Sequence, residues 1–137
     1  MKLIALVIIL FFAIVIAYIT RSEYPFDKLQ REDIEYATAN WYRDEYVLTE
    51  SELVCLVSTL NGLEIYRETD RDRSTGNNTS LTIHYSDGTK TYIHCDGRFV
   101  SIDSTTYRAD ELMVMNVQQL IADCVEKLFE NEIETYS

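Results

Sequence analysis

Residues 81–95, LTIHYSDGTKTYIHC, decide the fold. Leu81, Ile83 and Tyr85 alternate with Thr82, His84 and Ser86, the period of two that marks a strand with one buried face. Ser86-Asp87-Gly88 interrupts the alternation, which resumes through Cys95. A two-residue Asp87-Gly88 turn would set Ile83 opposite Tyr92 and Leu81 opposite His94, mixing polar and apolar side chains on each face. A three-residue loop with Gly88 in the left-handed position sets Ile83 opposite Thr91 and Leu81 opposite Ile93. This register separates Leu81, Ile83, Ile93 and Cys95 from Thr82, His84, Lys90, Tyr92 and His94. The second set is the candidate interaction face.

Strand and turn signals extend in both directions. Upstream, residues 33–42 alternate at Ala37, Ala39 and Trp41, with Ile34 out of phase, which predicts a strand with a bulge near its start. Arg43-Asp44-Glu45 turns the chain into a short strand over 46–48. Thr49 with Glu52 is a capping box opening a helix. Leu53, Leu56, Val57 and Leu60 form its apolar stripe, and Asn61-Gly62 is expected to stop it in the left-handed conformation. A strand begins at 63–66, and residues 67–80 are polar throughout, which predicts an exposed loop or hairpin tip open to proteases. Downstream, Asp96-Gly97 turns into a strand over 99–102, and Asp103-Ser104 into a returning segment over 105–108. A helix over 110–130 carries Met113, Val117, Leu120, Ile121, Cys124 and Leu128 on one face, with Asp110 as its cap.

Residues 3–19 have no charge and no strongly polar group beyond the Tyr18 hydroxyl. As helix they measure about 26 Å, against a hydrocarbon core of about 30 Å and a signal-peptide apolar region of about 7 to 15 residues. The expectation is a single-pass anchor over 1–20 with the C-terminal domain outside the cell membrane. The alternative is a signal peptide cleaved near Ala17, giving a secreted protein. Lys2 before the segment, and Arg21 offset by Glu23 after it, place the N-terminus in the cytoplasm. The division is then 1–20 anchor, 21–32 juxtamembrane linker broken by Pro25, 33–130 extracytoplasmic domain and 131–137 a frayed acidic tail. The fold class is α+β: a transmembrane or signal helix, then one β-β-α-β-β-β-β-α domain with a mainly antiparallel sheet and two packed helices.

Lys2 is the only charged side chain before residue 21, so residues 21–137 hold 11 basic against 23 acidic residues, a net charge of −12. That excess argues against nucleic acid and anionic lipid as partners, since both require counter-charge. The chemistry-bearing residues form no motif. His84 opposes Lys90, which repels a cation, and His94 opposes Ser80, so no metal site is expected. Cys95 and Cys124 fall on apolar faces, whereas Cys55 lies off its helix stripe and is the candidate reactive thiol. The odd count of three cysteines leaves at least one free. Residues 70–81 resemble a calcium loop only in Asp70 and Asp72. Ser74 stands at the fifth position, the glycine is one place late and Leu81 stands at the twelfth. Asn77 and Asn78 head two overlapping glycosylation sequons.

The motifs PFDKL with EDI, LTESEL, LNGLEIY and LTIHYSDGTKTYI resemble small exported or membrane-anchored proteins of Gram-positive, clostridia-like bacteria, over residues 25–130. The resemblance implies this layout and a bacterial cell-surface setting, with no activity and no catalytic residues.

Ten tyrosines stand out. Tyr92 with Tyr36 or Tyr42 on an outer sheet face could bind glycans or peptides, although tyrosine also suits strands for packing alone. The functional expectation is a non-enzymatic, surface-held domain that binds a protein, peptide or envelope component, needs no cofactor and contacts the membrane through residues 3–19. One alternative is a structural accessory subunit of a membrane complex. The other is a hydrolase whose Asp87, Asp96 and Asp103 converge at one sheet end.

Overall fold

The computed structural model describes residues 1–19, 21–69 and 79–136. Three α-helices, α1 (Lys2–Ile19), α2 (Glu50–Asn61) and α3 (Glu111–Tyr136), accompany seven strands. These are β1 (Ile34–Trp41), β2 (Asp44–Val47), β3 (Ile65–Thr69), β4 (Thr79–Tyr85), β5 (Lys90–Asp96), β6 (Phe99–Ile102) and β7 (Thr105–Ala109). They form one antiparallel sheet in the order β2-β1-β4-β5-β6-β7-β3. Residues 105–108 pair with β6, so five strands rather than four follow α2 among the described residues.

The β4–β5 hairpin has the three-residue register. Leu81 faces Ile93, Ile83 faces Thr91 and His84 faces Lys90, and Gly88 takes φ 91°. Leu81, Ile83 and Ile93 are fully buried, which a slip of one residue would reverse. β1 joins β4 from the other side, with the register shift between Ile34 and Tyr36. Both α2 and α3 lie on the apolar face. Leu53, Leu56 and Leu60 from α2 and Val114, Val117, Ile121, Cys124 and Val125 from α3 close one core with Ala37, Ala39, Leu81, Ile83, Ile93, Cys95 and Val100. The buried stripe of α3 is rotated from the expected one: Val114 and Val125 are inside, while Met113, Leu120 and Leu128 are only half-buried. α3 also continues to Tyr136.

The α2 capping box forms in both directions, between Thr49 and Glu52. At the other end Gly62 has φ −88°, in the right-handed region. Its role is proximity: a β-carbon there would lie 3.3 Å from Met113 Cε.

Residues 21–32 are packed onto the domain. Glu23 bridges Ile65, Phe26 is buried, and the Asn61 side-chain amide donates to the carbonyls of Phe26 and Leu29 at 2.6 and 3.0 Å. Arg31 donates to both carboxylate oxygens of Glu50 at 2.8 and 2.5 Å.

The expected membrane-crossing segment requires correction. Among the described residues no helix is long and apolar enough to cross a membrane. α1 has 18 residues, which at about 1.5 Å each fall short of a core of about 30 Å. Its described apolar side chains are exposed apart from the half-buried Val15, and none joins the buried core. The exposed loop expected over 67–80, with the stretch compared with a calcium loop and the sequons at Asn77 and Asn78, lies mainly outside the described residues.

Candidate functional site

With the helices on one face, the other face of the sheet is free to form a site. Its cross-strand rows follow from the register. Tyr36, His84 and Lys90 form one row, Thr38, Thr82 and Tyr92 the next, and Asn40 pairs with Ser80 in the third. Small residues in the middle and large ones around them leave a groove of about 580 Å³. Thr38, Asn40, Ser80 and Thr82 line its floor, and Tyr42, Arg43, Glu45, His84, Lys90 and Tyr92 its walls. Four of the five predicted face residues, Thr82, His84, Lys90 and Tyr92, thus line one concavity. His94 shares the face but not the groove; its Nδ1 lies 2.9 Å from the Thr79 carbonyl. A carbonyl only accepts, so this nitrogen donates.

The floor is polar, with Thr38 and Ser80 buried and Asn40 and Thr82 half-buried. Thr38 and Ser80 are 3% and 4% exposed. The Thr38 hydroxyl donates to Asn40 Oδ1 at 3.1 Å. Asn40 Nδ2 donates to Ser80 Oγ at 3.3 Å and to Thr82 Oγ1 at 3.0 Å. Both protons of the Asn40 amide are therefore used and its oxygen accepts one bond, while Ser80 and Thr82 accept from it and keep their own protons for donation.

Local backbone geometry shapes the walls. Tyr42 sits at φ 54° between β1 and β2, a conformation normally given to Gly or Asn. Its ring meets Trp41 edge-on at 4.9 Å and is otherwise 69% exposed. Tyr92 is held through its backbone: its amide donates to Asp103 Oδ1 at 3.0 Å, and its carbonyl accepts from the Asp103 amide at 2.7 Å. Asp103 itself takes φ 56°. His84 is stacked on Tyr36 at 4.2 Å and 13° between planes. Among the described residues neither Arg43 nor Lys90 is in an ion pair.

The carboxylates considered for hydrolysis do not converge. The β4–β5 and β6–β7 turns, with Asp87 and Asp103, lie at one sheet end, and Asp96 lies at the other, as alternate turns of an antiparallel meander must. Asp87 is engaged locally, accepting from the Thr89 amide and hydroxyl at 2.9 and 2.6 Å. Those bonds hold its carboxyl below the usual carboxylate range.

A second cleft of about 570 Å³ runs between α2 and α3, with Glu52, Cys55, Cys124 and Lys127 among its lining. Glu52 is its hub. It accepts from the Thr49 amide, the Tyr46 hydroxyl and Lys127 Nζ, each at 2.8 Å, and from the Cys124 thiol at 3.2 Å. Burial opposes its charge, but the hydrogen bonds from Lys127, Thr49 and Tyr46 prevail and hold its pKa at about 2. Burial, aided by the adjacent Glu52, pushes the Cys124 thiol up to about 12, and burial alone does the same to Cys95. Neither is a thiolate nucleophile at neutral pH. Cys55, off the apolar stripe, is exposed. In the native protein at pH 7, a thiol reagent should label Cys55 first, with Cys95 and Cys124 reacting only after denaturation. Mass spectrometry of the labelled peptides checks this, and early labelling of Cys124 would contradict the burial described.

The sequence pointed to the β4–β5 contribution to the groove but not to the floor residues of β1. Nothing local to Thr38 or Asn40 shows that β1 lies beside β4. No family model, curated protein or solved structure matches the chain, so function is argued from the groove's own chemistry.

Proposed function

We propose that the protein is a non-enzymatic binding domain whose helix-free sheet face takes its ligand in the groove between Tyr42 and Lys90. The supporting observation is the combination of an internally satisfied polar floor with exposed aromatic and cationic walls. The floor has hydroxyl protons to offer a ligand, and its central amide is already committed to structure. Tyr42 adds a second sign. Holding a tyrosine at positive φ costs on the order of 1 kcal/mol, and such strain is often found at binding sites. α1, apolar on every side and exposed, is suited to rest in an apolar phase. In this reading it holds the domain against a lipid surface without crossing it.

Tyr92→Ala tests the reading. Tyr92 is 44% exposed, so its truncation should leave stability within about 1 kcal/mol of wild type. Capture of an envelope component from extracts should fall at least about tenfold. Unchanged capture by a folded Tyr92→Ala protein would remove the groove from the account.

A further inference from the structure

We infer that the ligand of this groove is an acidic oligosaccharide, its carboxylates met by Arg43 and Lys90 and its sugar rings by Tyr42 and Tyr92. The inference rests on the proposed binding function and adds the class of ligand.

Three features of the groove lead to it. The first is the sign of its charge. In a protein of net charge −11, the groove holds two cations, Arg43 and Lys90, against the single anion Glu45. The second is its hydrogen-bond polarity. Asn40 donates to Ser80 and Thr82, so both hydroxyls keep a proton to donate, the half-buried Thr82 being the accessible one, and this donor with both cations favours an acceptor-rich partner. The third is its position within the sheet. The floor strands β1 and β4, and β5 beside them, are each paired on both sides, so the floor gives an extended peptide no main-chain ladder; the edge strand β2 contributes only Glu45 to the wall. Side chains alone contact the ligand. Hydroxyl donors with exposed tyrosine rings suit a pyranose, which has acceptor oxygens at its rim and C–H groups on its faces.

The length also suits a chain rather than a single sugar. Lys90 lies in the row of Tyr36, and Tyr42 is six residues further along, about 20 Å at strand rise. A single ring reaches one cation, whereas several linked rings reach both.

Calorimetric titration of the full chain with tetragalacturonate, its carboxyl-reduced neutral analogue, a hexaglutamate peptide and inorganic phosphate tests the inference. Tetragalacturonate is expected to bind at least tenfold more tightly than the other three, with affinity falling as salt rises. Arg43→Gln and Lys90→Gln should each weaken it at least threefold with unchanged thermal unfolding, and Tyr42→Asn should weaken it likewise while unfolding at the same or a higher temperature, because Asn suits the positive φ. Equal binding of the neutral analogue would overturn the acidic character of the ligand, and tighter hexaglutamate binding would overturn its saccharide class. Preference for phosphate would reduce the site to an anion pocket. If no probe binds while Tyr92→Ala still abolishes capture from extracts, the inference fails and the binding function stands. If neither effect is seen, both fail.

Discussion

Glu52→Ala lowers folding stability by about 3 kcal/mol, enough to shift the melting temperature by about 10 °C. Glu52 terminates the α2 capping box and also ties α2 to Tyr46 at the end of β2 and to Cys124 and Lys127 on α3. Its side chain is 14% exposed, so water replaces these partners poorly. The same group sets the acid limb of stability. Its pKa is about 2 in the folded protein against an ordinary 4.5. The folded state thus binds fewer protons at that position. The stabilisation is fully present above about pH 4.5 and is lost as pH falls through about 2. Lys127 shifts upward through its bond to Glu52, so its share of the pairing is present below its ordinary value of 10.5 and is lost as pH rises through the raised one. Urea unfolding at pH 7 and pH 3 checks the acid limb: wild type should lose stability between them, and Glu52→Ala should lose about 2 kcal/mol less over the same interval. A loss under 1 kcal/mol for Glu52→Ala at pH 7 would show that the hub is replaced by solvent.

Thr82→Trp closes the groove, with an expected loss of ligand capture to background. Thr82 stands between Thr38 and Tyr92 in the central row and is half-buried. An indole there fills the space above the floor. It suits a strand and removes one of the two acceptors of Asn40 Nδ2, while Ser80 Oγ keeps the other. The expected stability cost is about 1 kcal/mol, so the variant should remain folded by circular dichroism. Full capture by folded Thr82→Trp would place binding elsewhere, with the α2–α3 cleft the next concavity to test.

Local signals carried the parts of this fold that depend on neighbours in sequence. The hairpin register followed from the clash of faces in the alternative, and the α2 start followed from Thr49 and Glu52. The exposure of Cys55 followed from the stripe that it avoids. What could not be read is long-range or depends on space. That β1 sits beside β4, and so supplies Thr38 and Asn40 to the floor, is a pairing across the intervening α2 and β3. The further roles of Glu52 toward Cys124 and Lys127 span 72 and 75 residues. Gly62 looked like a left-handed stop but is a right-handed residue close to Met113, and only the packing of α3 shows it. α3 itself is turned so that Val114 and Val125 are inside, because the sheet it covers extends to β2. The apolar run at residues 3–19 suggested a crossing by its composition, but no described helix meets the length and apolarity needed.

Site-specific photocrosslinking tests the central claim most directly, because it captures a ligand of any chemical class. A benzophenone amino acid in place of Tyr92 samples the groove, and one in place of Val54, exposed on α2, samples the helical side. Irradiation of envelope preparations containing the full chain is expected to give a discrete adduct from position 92 and none from position 54. An adduct from position 54 alone, or from both equally, would contradict it.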